Sequence, residues 1–306
     1  MENEKSIIIF TKNKPFLGAQ IVQIPFYFFL KRKFPGYKIV AVAPTNSAFV
    51  LNELGYTDEV YYYPPKKNVK ILRKLFIELR KLNIHCIFQF RLVSLRTLIY
   101  SRFLTTKPII GFKGKFSRVF LNKRIIFDRD IYIANNYLFL LGRSLAEFSS
   151  LFDKAGGNYF LIIPAGNEDF KKYPIEKYIQ AANILKGHHP VHFLLGKDMQ
   201  REIDLLSQTK NTFTLHVQLQ MTEIESLVRN ACVVIANDCG PSHFAHIYDI
   251  PRVSIFPGIG TDWFYQTNNS IMLYPSYSES IAKIEPEKIC ECTLKLLNNS
   301  QKNKRL

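Results

Sequence analysis

The chain contains no apolar run long enough to cross a bilayer. A span needs about 20 residues, and the best stretch, IVQIPFYFFL at 21–30, has ten and includes Gln23 and Pro25. Paired cysteines are also missing. The five at positions 86, 232, 239, 290 and 292 are odd in number, and Cys290 and Cys292 lack nearby histidines. A disulfide framework and a zinc site are therefore not expected, and reduced thiols in a cytoplasmic protein are. The opening MENEKSIIIF carries acidic residues and leads straight into a strand, a pattern unlike a secretory leader.

Acidic residues are scarce in one half only. Residues 1–150 hold 25 Lys and Arg against 9 Asp and Glu, whereas residues 151–306 hold 16 of each. The whole formal charge of +16 thus sits in the first half. Such a one-sided excess points to an anionic partner: nucleic acid, a phosphorylated glycolipid, or the acidic inner leaflet of a membrane. No recognisable nucleic-acid-binding motif accompanies it, so nucleic acid is not the expected partner.

What is present is an alternation of short apolar runs with longer helical spacings. In the first half 6–10, 38–44, 59–63 and 84–90 read as strands, with helices over 19–34, 47–54, 67–82 and 92–104. The second half restarts with strands at 159–164, 191–196, 212–217, 232–237 and 252–257. Helices fit between them at 175–186, 198–208, 222–230 and 241–248, and after them at 287–298. The stretch FDKAGGNYF reads as a linker. These arrays predict an α/β protein of two Rossmann-like domains, 1–155 and 156–306, facing a central cleft.

In such domains ligands sit beyond the carboxyl ends of the strands, where helix N-termini offer free N–H groups. The stretch IANDCGPSHFAHIYDIPRVSIFPG, 235–258, falls at such a place. Gly240 lets backbone approach a ligand, and the following helix would aim its positive end at a phosphate. Asp238 could accept from ribose hydroxyls or simply cap the helix, and His243 could reach the phosphate or pack inside. A second loop, PAGNEDFKKYP, brings Lys171 and Lys172 to the same edge, where a lysine can neutralise a diphosphate leaving group. Two such loops in one domain point to a nucleotide-diphosphate site.

These residues carry a resemblance. MTEIESLVRNACVVIANDCGPSHFAHIYDIPRVSIFPG resembles the C-terminal signature of glycosyltransferase family 9, the heptosyltransferase family. PAGNEDFKKYP is similar to that family's Lys-x-Trp-Pro segment, with Tyr173 in place of Trp, and FRLVSLRTLIYSRFLTTKPIIGF (90–112) is similar to its acceptor-domain segment. The likeness is strong over 159–258 and weak before 90. It implies a GT-B fold, a nucleotide-sugar donor on the C-terminal domain, and a lipopolysaccharide-type acceptor on the other. It also implies inversion at the anomeric carbon without a metal or other cofactor.

By that resemblance Lys171 contacts the donor phosphates, Asp238 holds ribose or sugar hydroxyls, and Cys239, Gly240 and His243 line the diphosphate. Cys239 replaces a Ser or Thr, losing one hydroxyl contact. The larger departure lies in FLGAQIVQIP: Gly18 and Pro25 keep the family spacing, but Ala19 stands where the family has its general base, an Asp. Gln20 could orient a hydroxyl but is too weakly basic to deprotonate it. Another N-domain carboxylate (Asp128 and Asp130 in FDRDIY are the candidates, against a reading as exposed strand edge), an acidic group of the acceptor, or binding without turnover are the alternatives.

On the acceptor side Arg96 matches a basic family position. Arg91, Arg102, Lys113, Lys115 and Arg118 add charge, and FFLKRKFPGYK (28–38) could rest on an acidic bilayer or be a buried helix with a basic end. The expectation is a cytoplasmic enzyme, peripheral at the inner membrane. It would move a heptose or related sugar from a donor such as ADP-heptose to an anionic glycolipid. A pseudo-glycosyltransferase, a nucleotide-sugar epimerase and a nucleic-acid binder are the other readings.

Overall fold

A computed structural model describes residues 4–11, 16–43, 49–63, 68–90, 95–152, 157–166, 168–209, 212–258, 262–276 and 279–303. The chain divides into two compact units, 1–145 and 146–306. Residues 153–156 of the expected linker lie outside the described residues. Gly157 is described, and there a Cβ would lie 1.7 Å from the Asn230 carbonyl oxygen. Glycine is needed at this position for close packing within the second unit.

The first unit holds strands β1 (Lys5–Phe10), β2 (Lys38–Ala43), β3 (Glu59–Tyr62), β4 (Asn83–Gln89), β5 (Ile109–Phe112) and β6 (Lys123–Ile125). Its helices are α1 (Gly18–Ile21), α2 (Ile24–Lys33), α3 (Phe49–Glu53), α4 (Val69–Arg80), α5 (Leu95–Leu104), α6 (Ser117–Phe120) and α7 (Ile133–Phe139), with α8 (Leu145–Ser149) at the boundary. The strands form one parallel sheet in the order β3-β2-β1-β4-β5-β6. The second unit holds β7 (Phe160–Ile163), β8 (Val191–Leu195), β9 (Thr214–Val217), β10 (Val233–Asn237), β11 (Arg252–Ile255) and β12 (Ser270–Leu273). Its helices are α9 (Ile175–Leu185), α10 (Gln200–Ser207), α11 (Met221–Arg229), α12 (Ser242–Ile247) and α13 (Pro286–Asn303), and its parallel sheet runs β12-β11-β10-β7-β8-β9. Counted from its own first strand, the second sheet repeats the order of the first. These are the two Rossmann-like domains of the GT-B class, as expected.

Register places like residues side by side. Ile8 lies between Val40 and Ile87, and Ile235 between Ile162 and Val253. Parallel sheets are covered on both faces, which is why β7 is buried at every position and reads as an unbroken apolar run. In the first unit Leu72, Leu75 and Leu79 of α4 close one face over Ile8, Phe10, Val40 and Val42.

Three differences from the expected elements have simple causes. The single helix expected over 19–34 is two, because Pro25 lacks an N–H and sits at the start of α2, so the chain restarts there. Edge strands β6 and β12 have three and four residues, too short to stand out in the sequence. Asp128 and Asp130 lie in the loop between β6 and α7 and not on a strand edge. Among the described residues no helix is long and apolar enough to cross a membrane.

Candidate functional site: the β7 and β10 strand ends

A doubly wound sheet opens a crevice where its strand order reverses. In the second unit that point lies between β7 and β10, which are hydrogen-bonded neighbours running from Phe160–Val233 to Ile163–Ala236. The loop after β7 carries a short 3-10 turn, Asp169–Lys171, and the loop after β10 begins with Asp238. Strand adjacency thus brings together residues 67 positions apart: Lys171 Nζ lies 3.2 Å from Asp238 Oδ2. A third member, Glu168 Oε2, is 3.4 Å from the same ammonium. Burial alone would lower the Lys171 pKa, but Asp238 and Glu168 together raise it, so the group is cationic at neutral pH. With both side chains a little over one-fifth exposed, the pair is open to solvent and to ligand.

Asn237 holds the two loops in place. It is fully buried; its Nδ2 donates to the Pro164 carbonyl at 2.9 Å, and its Oδ1 accepts from the Tyr178 hydroxyl at 2.7 Å and the Tyr173 N–H at 3.3 Å. One amide therefore fastens the end of β10 to the loop after β7 and to α9. Tyr173, at the position of the family's Trp, packs edge-on against Tyr178 and donates its hydroxyl to the Ile284 carbonyl at 2.8 Å. Asn237 was legible only as part of a quoted motif; an amide closing an apolar strand was the signal.

The remaining donor-side candidates divide. Gly240 is partly buried beside Asp238, in the turn that leads to α12. Cys239 is buried, its thiol pushed up to about 12 by burial, so it offers no anion and no open hydroxyl-like contact. His243 is buried too, packed against Trp263 and His246 with ring centroids 5.4 Å from each. Burial brings its pKa down to about 4, Arg252 adding to the fall and Asp238 opposing it. It is a neutral, packed imidazole and supplies no charge to a phosphate. Of the two readings offered for His243, the geometry matches packing.

Sequence reasoning passed over Arg252, an arginine opening an otherwise apolar strand, and it is 1% exposed. Its Nε donates to His246 Nδ1 at 3.1 Å; its Nη1 donates to Asp249 Oδ1 at 3.3 Å and to the Ile250 carbonyl at 3.1 Å; its Nη2 donates to the Tyr265 carbonyl. Asp249 sits at φ 53°, a left-handed backbone held by this network and by bonds from Thr267 and Asn269 at 2.6 and 2.8 Å. The cluster anchors α12 from behind, and so fixes the Asp238 turn.

The first unit's equivalent point lies between β1 and β4 and differs in kind. Beside the end of β4, Phe26 meets Phe90 edge-on at 4.8 Å and Phe90 stacks on Tyr137 at 4.4 Å. Gly18, Ala19 and Gln20 form α1, and all are buried. Gln23 donates to the Ala19 carbonyl and, at 3.3 Å, to Gln20 Oε1. Gln20 is thus buried among the described residues of the unit. No Asp or Glu occurs between Glu4 and Glu53, or between Glu78 and Asp128. Asp128 and Asp130 are exposed. Asp128 brackets its own loop, accepting from the Asp130 N–H at 2.8 Å while its backbone pairs with the Asn136 amide. Arg96 lies at the head of α5 with its guanidinium 5.7 Å from both the Tyr63 and Tyr100 rings. Arg91 lies outside the described residues, and Arg102 donates to the Phe120 carbonyl.

The sequence profile of glycosyltransferase family 9 (heptosyltransferase) matches residues 140–272, a span that includes Lys171, Asn237 and Asp238. No curated protein matches. Among solved structures, a family 9 glycosyl transferase from Veillonella parvula is 18% identical, covers 98% of this chain and 99% of its own, and superposes with a TM-score of 0.72. The ADP-heptose lipopolysaccharide heptosyltransferase II of Escherichia coli is 15% identical over 97% of this chain and 99% of that one, with a TM-score of 0.71. The E. coli heptosyltransferase WaaC, solved with ADP, is 13% identical over 95% and 99%, also at 0.71. At these identities the structural likeness establishes the fold. The resemblance to glycosyltransferase family 9 is thus upheld by the family's own sequence pattern over residues 140–272, and by the fold along nearly the whole chain.

Proposed function

We propose that the chain is a glycosyltransferase that moves a heptose, or a related sugar, from a nucleotide-diphosphate donor to a lipopolysaccharide core or a similar anionic glycan. The Lys171–Asp238 pair at the strand-order reversal of the second unit carries this reading. It puts a cation and a hydroxyl acceptor where nucleotide ligands of such sheets bind. The similar heptosyltransferase solved with ADP supports an adenine nucleotide, with ADP-heptose the first donor to try.

On this reading the diphosphate takes over Lys171 from Asp238. The lysine then neutralises charge that grows on the departing diphosphate, which needs no metal. Asp238, released from the pair, accepts from donor hydroxyls. The acceptor hydroxyl attacks the anomeric carbon from the opposite side, inverting it, and must lose a proton. Ala19 cannot take it, so a phosphate or carboxylate of the acceptor itself does. The basic first unit, with 25 cationic against 9 acidic residues in 1–150, suits such an acceptor. We place the activity in the cytoplasm, in keeping with five cysteines that are all buried thiols.

A second reading, donor binding without turnover, is favoured by the enclosed Ala19 and Gln20. Incubation with ADP-heptose and heptose-deficient lipopolysaccharide separates the two. Release of ADP together with a mass gain of one heptose on the acceptor supports transfer. Tight ADP binding with no mass gain favours the pseudo-enzyme, and neither ADP binding nor transfer contradicts both.

A further inference from the structure

The first unit carries a surface feature that the donor chemistry does not use. Helices α4 and α5 leave a groove of about 490 Å³ between them. Its floor is the tilted ring pair Phe76 and Tyr100, 4.5 Å apart, continued by Leu72 and Leu104. Its lips are Ile77 and Phe103, which are 50% and 67% exposed. Arg73 and Arg80 complete the lining, and Arg80 is fixed at one end by donating to the Phe103 carbonyl at 3.2 Å. No acidic residue lines it.

Charge around the groove is arranged as well as abundant. At about 100° per residue, Arg73, Ile77, Arg80, Lys70, Lys74 and Lys81 fall within one sector of about 120° on α4. The only carboxylate of this helix, Glu78, lies beyond that sector and is held by Lys81 at 2.8 Å. Exposed apolar lips rimmed by cations match the interface of an acidic bilayer, where side chains such as Phe and Ile enter the headgroup boundary and each Lys or Arg meets lipid phosphate. A second copy of this chain would bring like charges face to face, which opposes pairing. The other basic, aromatic stretch, 28–38, keeps its rings closer to the unit's own cations. Its Leu30 is buried, and Phe28 and Phe29 lie under Arg32 and Arg143.

We propose that the α4–α5 face docks the protein on the surface of an anionic phospholipid bilayer, with Ile77 and Phe103 inserted and Arg73 and Arg80 on lipid phosphates. The proposal stands on this groove and its charge, independently of the nucleotide site. The test is flotation of the whole chain with vesicles of phosphatidylcholine, with and without about 30% phosphatidylglycerol. Binding is expected only to the anionic vesicles and is lost in about 0.5 M salt. Arg73→Gln weakens it about fivefold, Ile77→Ser with Phe103→Ser weakens it more, and Lys123→Glu, exposed elsewhere on the same unit, leaves it within twofold. Unchanged thermal unfolding and unchanged ADP binding in each variant show that the fold and the donor site are intact. Equal loss with Lys123→Glu would reduce the effect to net charge and overturn the proposal. So would equal binding to neutral vesicles, no binding at all, or a dimer in the ultracentrifuge that Ile77→Ser with Phe103→Ser abolishes.

Discussion

The two units have the same strand order, and each reverses it between its first and fourth strands. What stands at the reversal differs completely. In the second unit an open ion pair, Lys171–Asp238, sits on loops fastened by a buried amide. In the first, among the described residues, aromatic rings pack beside a buried α1, and the sequence has no carboxylate in either adjoining loop. Charge differs in the same sense: the first half has a large basic excess, whereas the second is balanced and buries a charged network around Arg252. A shared topology therefore fixes where a site can be, and the loop residues decide whether there is one.

The sharpest way to break this contrast is to cut the amide that fastens the second unit's loops. Asn237→Ala leaves the Tyr178 hydroxyl, the Tyr173 N–H and the Pro164 carbonyl without their partner, and a loss of about 3 kcal/mol in denaturant unfolding is expected. An effect below about 0.5 kcal/mol would mean that the loops are held otherwise. Lys171→Ala should weaken ADP binding about 30-fold by calorimetry, the loss of a charge-assisted contact worth about 2 kcal/mol, with little change in stability. Acid should act on the second unit, which holds six of the seven histidines. His243 has its pKa brought down from an ordinary value near 6.5 to about 4, and His246 is lowered too. The unfolded chain then binds more protons between those values, so stability is lost as the pH falls through that window. For His243 alone this amounts to about 2 kcal/mol between pH 7 and pH 5. His243→Asn should flatten that part of the profile. The smallest effect is expected at the loop carboxylates: Asp128→Asn and Asp130→Asn should each leave turnover within twofold. A tenfold loss at either would locate a base in the first unit and end the contrast.

Much of this was legible in the sequence. Apolar runs such as SIIIF and CVVIAN mark buried parallel strands, and the restart of the pattern after residue 158 shows two units. Asp238 and Lys171 could be brought to one edge on paper because each lies in a loop that follows a strand. Edge strands β6 and β12 were not legible, since three or four residues show too little of a pattern, whereas the other two edges, β3 and β9, fell inside expected strands. Nor was the fate of individual side chains. His243 and Cys239 occupy motif positions like those of a ligand shell, yet packing buries both. Arg252 looks like a surface residue until its buried hydrogen-bond partners are seen. Spacing along a chain reports which strand end a residue occupies, whereas burial depends on neighbours distant in sequence.

Hydrogen exchange of the whole chain with and without saturating ADP tests the central claim most directly. The account predicts slowed exchange at Lys171–Tyr173 and at Asp238–His243, and none at Gly18–Gln20 or Gln89–Phe90. Protection at the first unit's strand ends, or no protection at the β7 and β10 ends despite measurable binding, would contradict it.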